Sequence, residues 1–214
     1  MAKRTPGTLL KECVSHLEGA TQLTERASIW HAHLAHFKQA RFKKEHYIQI
    51  VELSFMRLFL TWEGFIEEAF ILYLLGKESP NGYKPGRHAV PLNRQHAIEL
   101  LASDARHTDW TAAAKIVNRA ERFFVNGFPF ANVVRPKSNL LDNMKTIRNA
   151  LSHDSEEAFG KFETLVRNEL TFFPKGMVPG VFLATTKPHQ TPPVTYLQFY
   201  ADTFRSMAES LVPS

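Results

Sequence analysis

Phe55-Met56-Arg57-Leu58-Phe59-Leu60-Thr61-Trp62-Glu63-Gly64-Phe65-Ile66-Glu67-Glu68-Ala69-Phe70-Ile71-Leu72-Tyr73-Leu74-Leu75 is the most apolar stretch of the chain. Arg57, Glu63, Glu67 and Glu68 interrupt it. Those charges would be costly in lipid but are ordinary on a helix inside a protein, so no membrane span is expected. Extended back to residue 43 and closed by Gly76, the stretch reads as one long helix over 43–75, the spine of the fold. Glu45, Glu52, Glu63 and Glu67 fall within about 60° of one another on its helical wheel. This strip is either a solvated face that partners neighbouring Lys and Arg, or part of a functional lining.

Outward from the spine, helical periodicity dominates and strand-like alternation is scarce, so an all-α fold is expected. Thr8 and Thr24 read as N-caps of helices over 9–20 and 25–40. Pro80, Pro85, Pro91, Gly82 and Gly86 make 76–92 a loop, and helices resume over 94–103 and 109–125. Asn126-Gly127-Phe128-Pro129 breaks the chain before a helix over 138–152, and another follows from Asp154 to Leu170. Five prolines mark 171–193 as a second inserted loop, one that covers the site or a subunit interface. Tyr196, Leu197, Phe199, Tyr200, Phe204, Met207 and Leu211 give a closing amphipathic helix.

With 214 residues, 44% of them hydrophobic, there is chain enough for one sizeable core. A single all-helical domain over 1–214 is expected, with 1–41 as an N-terminal helical extension. The net charge of +5 permits a polyanionic partner without requiring one. Cys13 alone excludes an internal disulfide, and no signal-peptide apolar core follows Met1–Gly7, so a cytoplasmic location is expected.

Arg148-Asn149-Ala150-Leu151-Ser152-His153 sets a permanent cation beside a titratable base. Arg-x-x-x-x-His also occurs at Arg26 to His31 and at Arg41 to His46, so spacing alone does not choose among the three. Around the third copy Leu140, Met144, Ile147 and Leu151 form an apolar stripe with Arg148 at its edge. On a straight helix Arg148 and His153 would point about 140° apart, so the chain must bend or a second copy must help. Asp154, with Glu157 three residues on, reads as the N-cap of a new helix and puts His153 on a helix junction. Neither other copy has a stop signal after its histidine.

This element resembles the Arg-polar-x-x-x-His signature of HEPN-domain proteins, in which asparagine often follows the arginine. Leu60-Thr61-Trp62-Glu63-Gly64-Phe65-Ile66-Glu67 is similar to the Glu-x-Phe segment that many members carry upstream, and the likeness covers residues 42 to 212. It implies an all-α, HEPN-like helical bundle with a long spine helix and extra loop insertions. It further implies a homodimer that joins two Arg-His pairs into a metal-independent endoribonuclease with RNA as substrate and no cofactor. A toxin or defence role with an inhibitory antitoxin partner goes with that reading. In the implied transesterification one His153 deprotonates the ribose hydroxyl and the other protonates the leaving oxygen. Arg148 stabilises the phosphate and Asn149 positions the histidine or the phosphate. Glu63 and Glu67 are supporting residues. Because one neutral and one protonated imidazole are needed, activity should peak within about a unit of 6.5. Some members have lost catalysis, so the alternative is a non-catalytic nucleotide- or protein-binding module, or a regulatory helical dimer.

Other candidates have plainer readings. Lys84, Arg87 and Arg94, with Lys77, could guide RNA phosphates or simply be solvated loop charges. His31, His33 and His36 do not converge on one helical face, and no metal site is expected. Phe123, Phe124, Phe128 and Phe130 fit a core better than a base-stacking surface.

Overall fold

A computed structural model describes residues 4–34, 42–102 and 109–214. The chain is all-α, as expected. Its helices are α1 (Pro6–Leu34), α2 (Lys44–Leu74), α3 (Arg94–Leu101), α4 (Ala113–Phe123), α5 (Phe130–Val134), α6 (Ser138–Ser152), α7 (Glu156–Leu170), α8 (Pro179–Ala184) and α9 (Tyr196–Leu211). Among the described residues no β-strand forms, and isolated bridges join Arg87 to Phe124 and Thr186 to Thr195. No helix among them is long and apolar enough to cross a membrane.

The spine, the motif helix and the closing helix lie where periodicity put them. The two helices expected at the N-terminus are instead one helix through Leu34; the end of the second falls on residues 35–41, outside the described residues. Thr24 is no cap: its hydroxyl donates to the Ala20 carbonyl at 3.1 Å inside the helix. The start is also earlier than expected. Thr5 Oγ1 accepts from Thr8 N at 3.2 Å and Thr8 Oγ1 accepts from Thr5 N at 3.0 Å, a reciprocal cap with Pro6 in the first helical position.

Contacts divide the chain into two compact units. The first comprises the described parts of Met1–Val14, Thr61–Asp142 and Arg205–Ser214. Its centre is Phe70, ringed by Trp110 at 5.2 Å, Phe124 at 4.8 Å and Phe130 at 4.7 Å between ring centroids. Phe123, Phe124 and Phe130 are therefore core, and Phe128 stays exposed. Cys13 is buried here and its thiol is pushed up to about 12 by burial, which keeps it protonated. Arg87 closes α2 by donating to the Leu74 carbonyl at 2.8 Å. Gly76, at φ +76°, has no Cβ to strike that guanidinium, which would lie 2.8 Å away. Arg94 grips the buried carboxylate of Glu68 with both ends of its fork, at 2.7 and 2.5 Å.

The second unit comprises Ser15–Leu60 and Asn143–Phe204. Phe55 and Phe59 of α2 pack edge-on against Tyr200 and Phe204 of α9, at 6.0 and 6.2 Å. Helix α8 lies inside the proline-rich loop and was not expected. Phe182 stacks on Tyr196 at 4.1 Å and sits edge-on to Phe162 at 6.0 Å, so this insertion is built into the core of its unit. Lys187 and the Tyr196 hydroxyl both donate to Glu169 Oε2, at 2.8 and 3.1 Å, and tie the loop's far end to α7. At its near end Gly180 N donates to Glu52 Oε1 at 3.2 Å. A Cβ at Gly180 would lie 2.5 Å from Ile48 and 2.6 Å from Glu52, so only glycine lets α8 approach α2 this closely.

Burial lifts the Glu52 carboxyl above its ordinary 4.5, against the weaker opposing pull of the Gly180 N–H. A folded value above the unfolded one favours the protonated form. Its stabilisation is complete below about 4.5 and is lost as pH rises through the folded value. Glu52→Gln, neutral throughout and still able to accept from Gly180, should melt higher than wild type at pH 7 and level with it near pH 3.5. Thermal melts at the two pH values check this, and a gap that widens on acidification would refute it. A second test concerns Arg94. Arg94→Ala strands the buried Glu68 carboxylate and should lower stability by roughly 1–3 kcal/mol. Lys84 meets Glu78 at 3.6 Å on the surface. Lys84→Ala should therefore change stability by less than about 0.5 kcal/mol. Urea unfolding of both variants measures the contrast, and equal losses would sink it.

Candidate functional site

Helix α6 buries Leu141, Met144 and Ile147. The buried row therefore runs through Leu141 and not through Leu140, which with Leu151 is only half-buried. Arg148 stands beside this row, half-buried. Its Nη1 donates to Asn149 Oδ1 at 3.2 Å, and its buried Nε–H has no acceptor. Among the described residues no carboxylate pairs with it. The last helical hydrogen bond runs from His153 N to Asn149 O at 2.9 Å, and the imidazole lies exposed just beyond the helix end.

The expected junction is present, one residue later than expected. Ser155, not Asp154, caps α7: its backbone is extended (φ −136°, ψ 142°) and its hydroxyl accepts from Ala158 N at 3.2 Å. Glu156 and Glu157 then supply the acidic first turn.

His153 lines two clefts. One, of about 170 Å³, is lined also by Thr146, Asn149, Ser155, Glu157, Ala158 and Lys161. The other, of about 490 Å³, includes Leu151, Phe159 and Gly160 with Asp154, Glu156 and Glu163 among its lining. Arg148 lines neither. One chain thus brings His153 and Asn149 to a common cleft, and Asn149 alone links them to Arg148. Lys161, which donates to Glu157 Oε1 at 2.6 Å, is a cation at the site that the sequence reading missed. That hydrogen bond and the positive charge hold the Glu157 carboxyl below the usual range. The only available signal was spacing: Lys161 lies one helical turn beyond Glu157 on α7.

The remaining candidates lie elsewhere. Glu63 is half-buried and Glu67 exposed on the later part of α2, in the first unit, where Glu67 acts on Arg94 and Arg119. Arg87 and Arg94 have the protein partners described above, and Lys84 is a surface residue. In the first Arg-x-x-x-x-His copy the His31 ring stacks on Tyr47 at 5.5 Å. In the second, His46 Nδ1 accepts from Lys43 N at 3.1 Å at the start of α2, and Arg41 lies outside the described residues. His33 is exposed on α1, and His36 also lies outside the described residues. Comparison with family models, curated proteins and solved structures finds no match to the chain.

Proposed function

We propose that the chain is a HEPN-like, metal-independent endoribonuclease whose site is composed from two copies. The observation that carries this reading is Arg148: a half-buried, permanently charged guanidinium without a carboxylate among the described residues, five residues before an exposed imidazole at a helix junction. An arginine so placed is ready for an oxyanion, and phosphate matches its fork. In the reaction one His153 takes the proton of a ribose 2′-hydroxyl, and that oxygen attacks phosphorus. The 5′-oxygen leaves with a proton from the second His153, giving a 2′,3′-cyclic phosphate and a 5′-hydroxyl. Arg148 offsets the charge gathered on the phosphoryl oxygens, and Asn149 orients the guanidinium that it touches.

Each chain offers one motif imidazole, so two copies must meet. A surface for this lies beside the motif. Leu53 and Leu60, 69% and 54% exposed, stand two turns apart on α2, and Met56 between them touches Ser152 Oγ at 4.0 Å. One observation favours the alternative of a non-catalytic nucleotide- or protein-binding module: within one chain Arg148 and His153 do not line a common cleft.

Cleavage of labelled RNA in the presence of a chelator separates the two readings. His153→Ala should lose roughly 10²–10⁴ of the rate, with unfolding free energy changed by less than about 1 kcal/mol. Arg148→Lys, which keeps charge but loses the fork, should also cut turnover strongly without unfolding the protein. DNA of the same sequence should resist. His153→Ala that cleaves at the wild-type rate would leave the binding module as the better account. Self-association has its own test. Leu53→Glu with Leu60→Glu should give a monomer by light scattering and abolish cleavage, and a wild-type monomer that cleaves would overturn the composite site.

A further inference from the structure

We propose that the larger cleft beside His153 is a stacking site for one unpaired nucleobase, with Phe159 as its platform. This rests on the RNA reading above and adds the class of substrate: single-stranded, with a preference for bases that carry an exocyclic amine.

The two clefts that share His153 differ in chemistry. The smaller is lined by Asn149 and Thr146 with Lys161, which is paired to Glu157, and offers an amide, a hydroxyl and a cation to the backbone of a nucleotide. The larger sets the side chains of Leu151 and Phe159 among the carboxylates of Asp154, Glu156 and Glu163, which repel phosphate and accept from N–H donors. Its volume of about 490 Å³ is in the range that takes one small ligand. A single exposed aromatic is ordinary on a protein surface, but Phe159 is held in a way that suits a platform. It is 42% exposed, yet its ring is braced by the buried Phe162 at 6.0 Å and, edge-on, by Phe173 at 6.1 Å. Arg167 lies over Phe173 at 5.8 Å and holds Glu163 at 2.6 Å, so the shell behind the platform is itself tied down. The next residue is Gly160, where a Cβ would meet nothing within 4 Å, so the space beside the ring is open.

A rigid aromatic face next to a candidate general base recognises the flat face of a base, and in a duplex that face is covered by its neighbours. Glu163 is engaged by Arg167, so Asp154 and Glu156 are the carboxylates left at the edge. Adenine, cytosine and guanine offer them the two N–H donors of an exocyclic amine; uracil and thymine offer only the single imide N3–H.

The test uses fluorescein-labelled single-stranded DNA, which lacks the attacking hydroxyl and reports binding alone, read by anisotropy. Oligo(dA) should bind more tightly than oligo(dT), and a blunt duplex more weakly than either strand. Phe159→Ala should weaken oligo(dA) binding roughly five- to a hundred-fold, and Phe159→Trp should retain it. Phe159→Ala also loses contact with Phe162, so Gly160→Leu serves as a second variant. It fills the open space, should not lower the melting temperature because leucine favours helix over glycine, and should weaken binding at least as much. Duplex bound as tightly as single strand, no binding of single strand, or Gly160→Leu binding like wild type would each overturn the proposal. The outcomes also separate it from the nuclease reading. Base-dependent binding without RNA cleavage keeps the stacking site and removes the nuclease. His153-dependent cleavage with unchanged binding by Gly160→Leu keeps the nuclease and removes the stacking site.

Discussion

One unbroken helix has to satisfy two hydrophobic cores. Along α2, Val51, Phe55, Leu58 and Phe59 are buried in one compact unit and Trp62, Phe65, Ile66 and nearly every residue from Glu68 to Leu74 in the other. Each large apolar side chain so buried contributes on the order of 1.5–3 kcal/mol. The face left over is one narrow stripe, Leu53, Arg57, Leu60, Gly64 and Glu67, stepping by three and four residues. Much else follows from that demand. A carboxylate that falls within the buried arc must be paired, and Glu68 is, by the fork of Arg94. The helix must also stop where its core ends. Gly76 turns the chain, and Arg87 satisfies a terminal carbonyl that would otherwise go without a partner.

The same demand explains what was legible in the sequence. Long amphipathic periods survive tertiary packing, so α2, α6 and α9 lie close to where spacing put them. Errors cluster at residues whose short side chains satisfy the backbone in two ways. Thr24 reads equally as a cap or as a helix-internal threonine bonded to the carbonyl four residues back, and the continuing burial of Leu17, Ala20 and Ala27 decides for the latter. Asp154 and Ser155 are both good caps, and adjacent candidates cannot be ranked without the backbone angles. Helix α8 was hidden because the prolines around it and its own Pro179-Gly180 signal a loop, whereas Pro179 opens a short helix and Gly180 is there for closeness to Ile48 and Glu52.

At the candidate site, Arg148 and His153 were legible because an arginine and a histidine at a helix break stand out in a sequence. Lys161 and Phe159 were not. Their relevance is conferred by the turn between α6 and α7, which brings two faces of α7 to either side of one imidazole. Phe159 in particular looks like core by composition, and only its exposed ring, braced from behind by Phe162 and Phe173, distinguishes it.

Three arginines in this chain make the case for the site by contrast. Arg87 is half-buried and donates to a helix-terminal carbonyl; Arg94 is forked onto a carboxylate. Each is accounted for by the fold. Arg148 is also half-buried, yet it donates to the amide oxygen of its own neighbour, and its Nε–H is sealed from solvent with no acceptor among the described residues. Leaving a buried donor unmet costs roughly 1–3 kcal/mol, and more where the group is charged. Folding alone would be served better at this position by an uncharged residue. In the proposed site an oxyanion would meet the guanidinium at its Nη atoms, beside Asn149, and its charge would offset part of that cost. The expense of this arginine to the fold is thus itself a reason to assign it to a ligand.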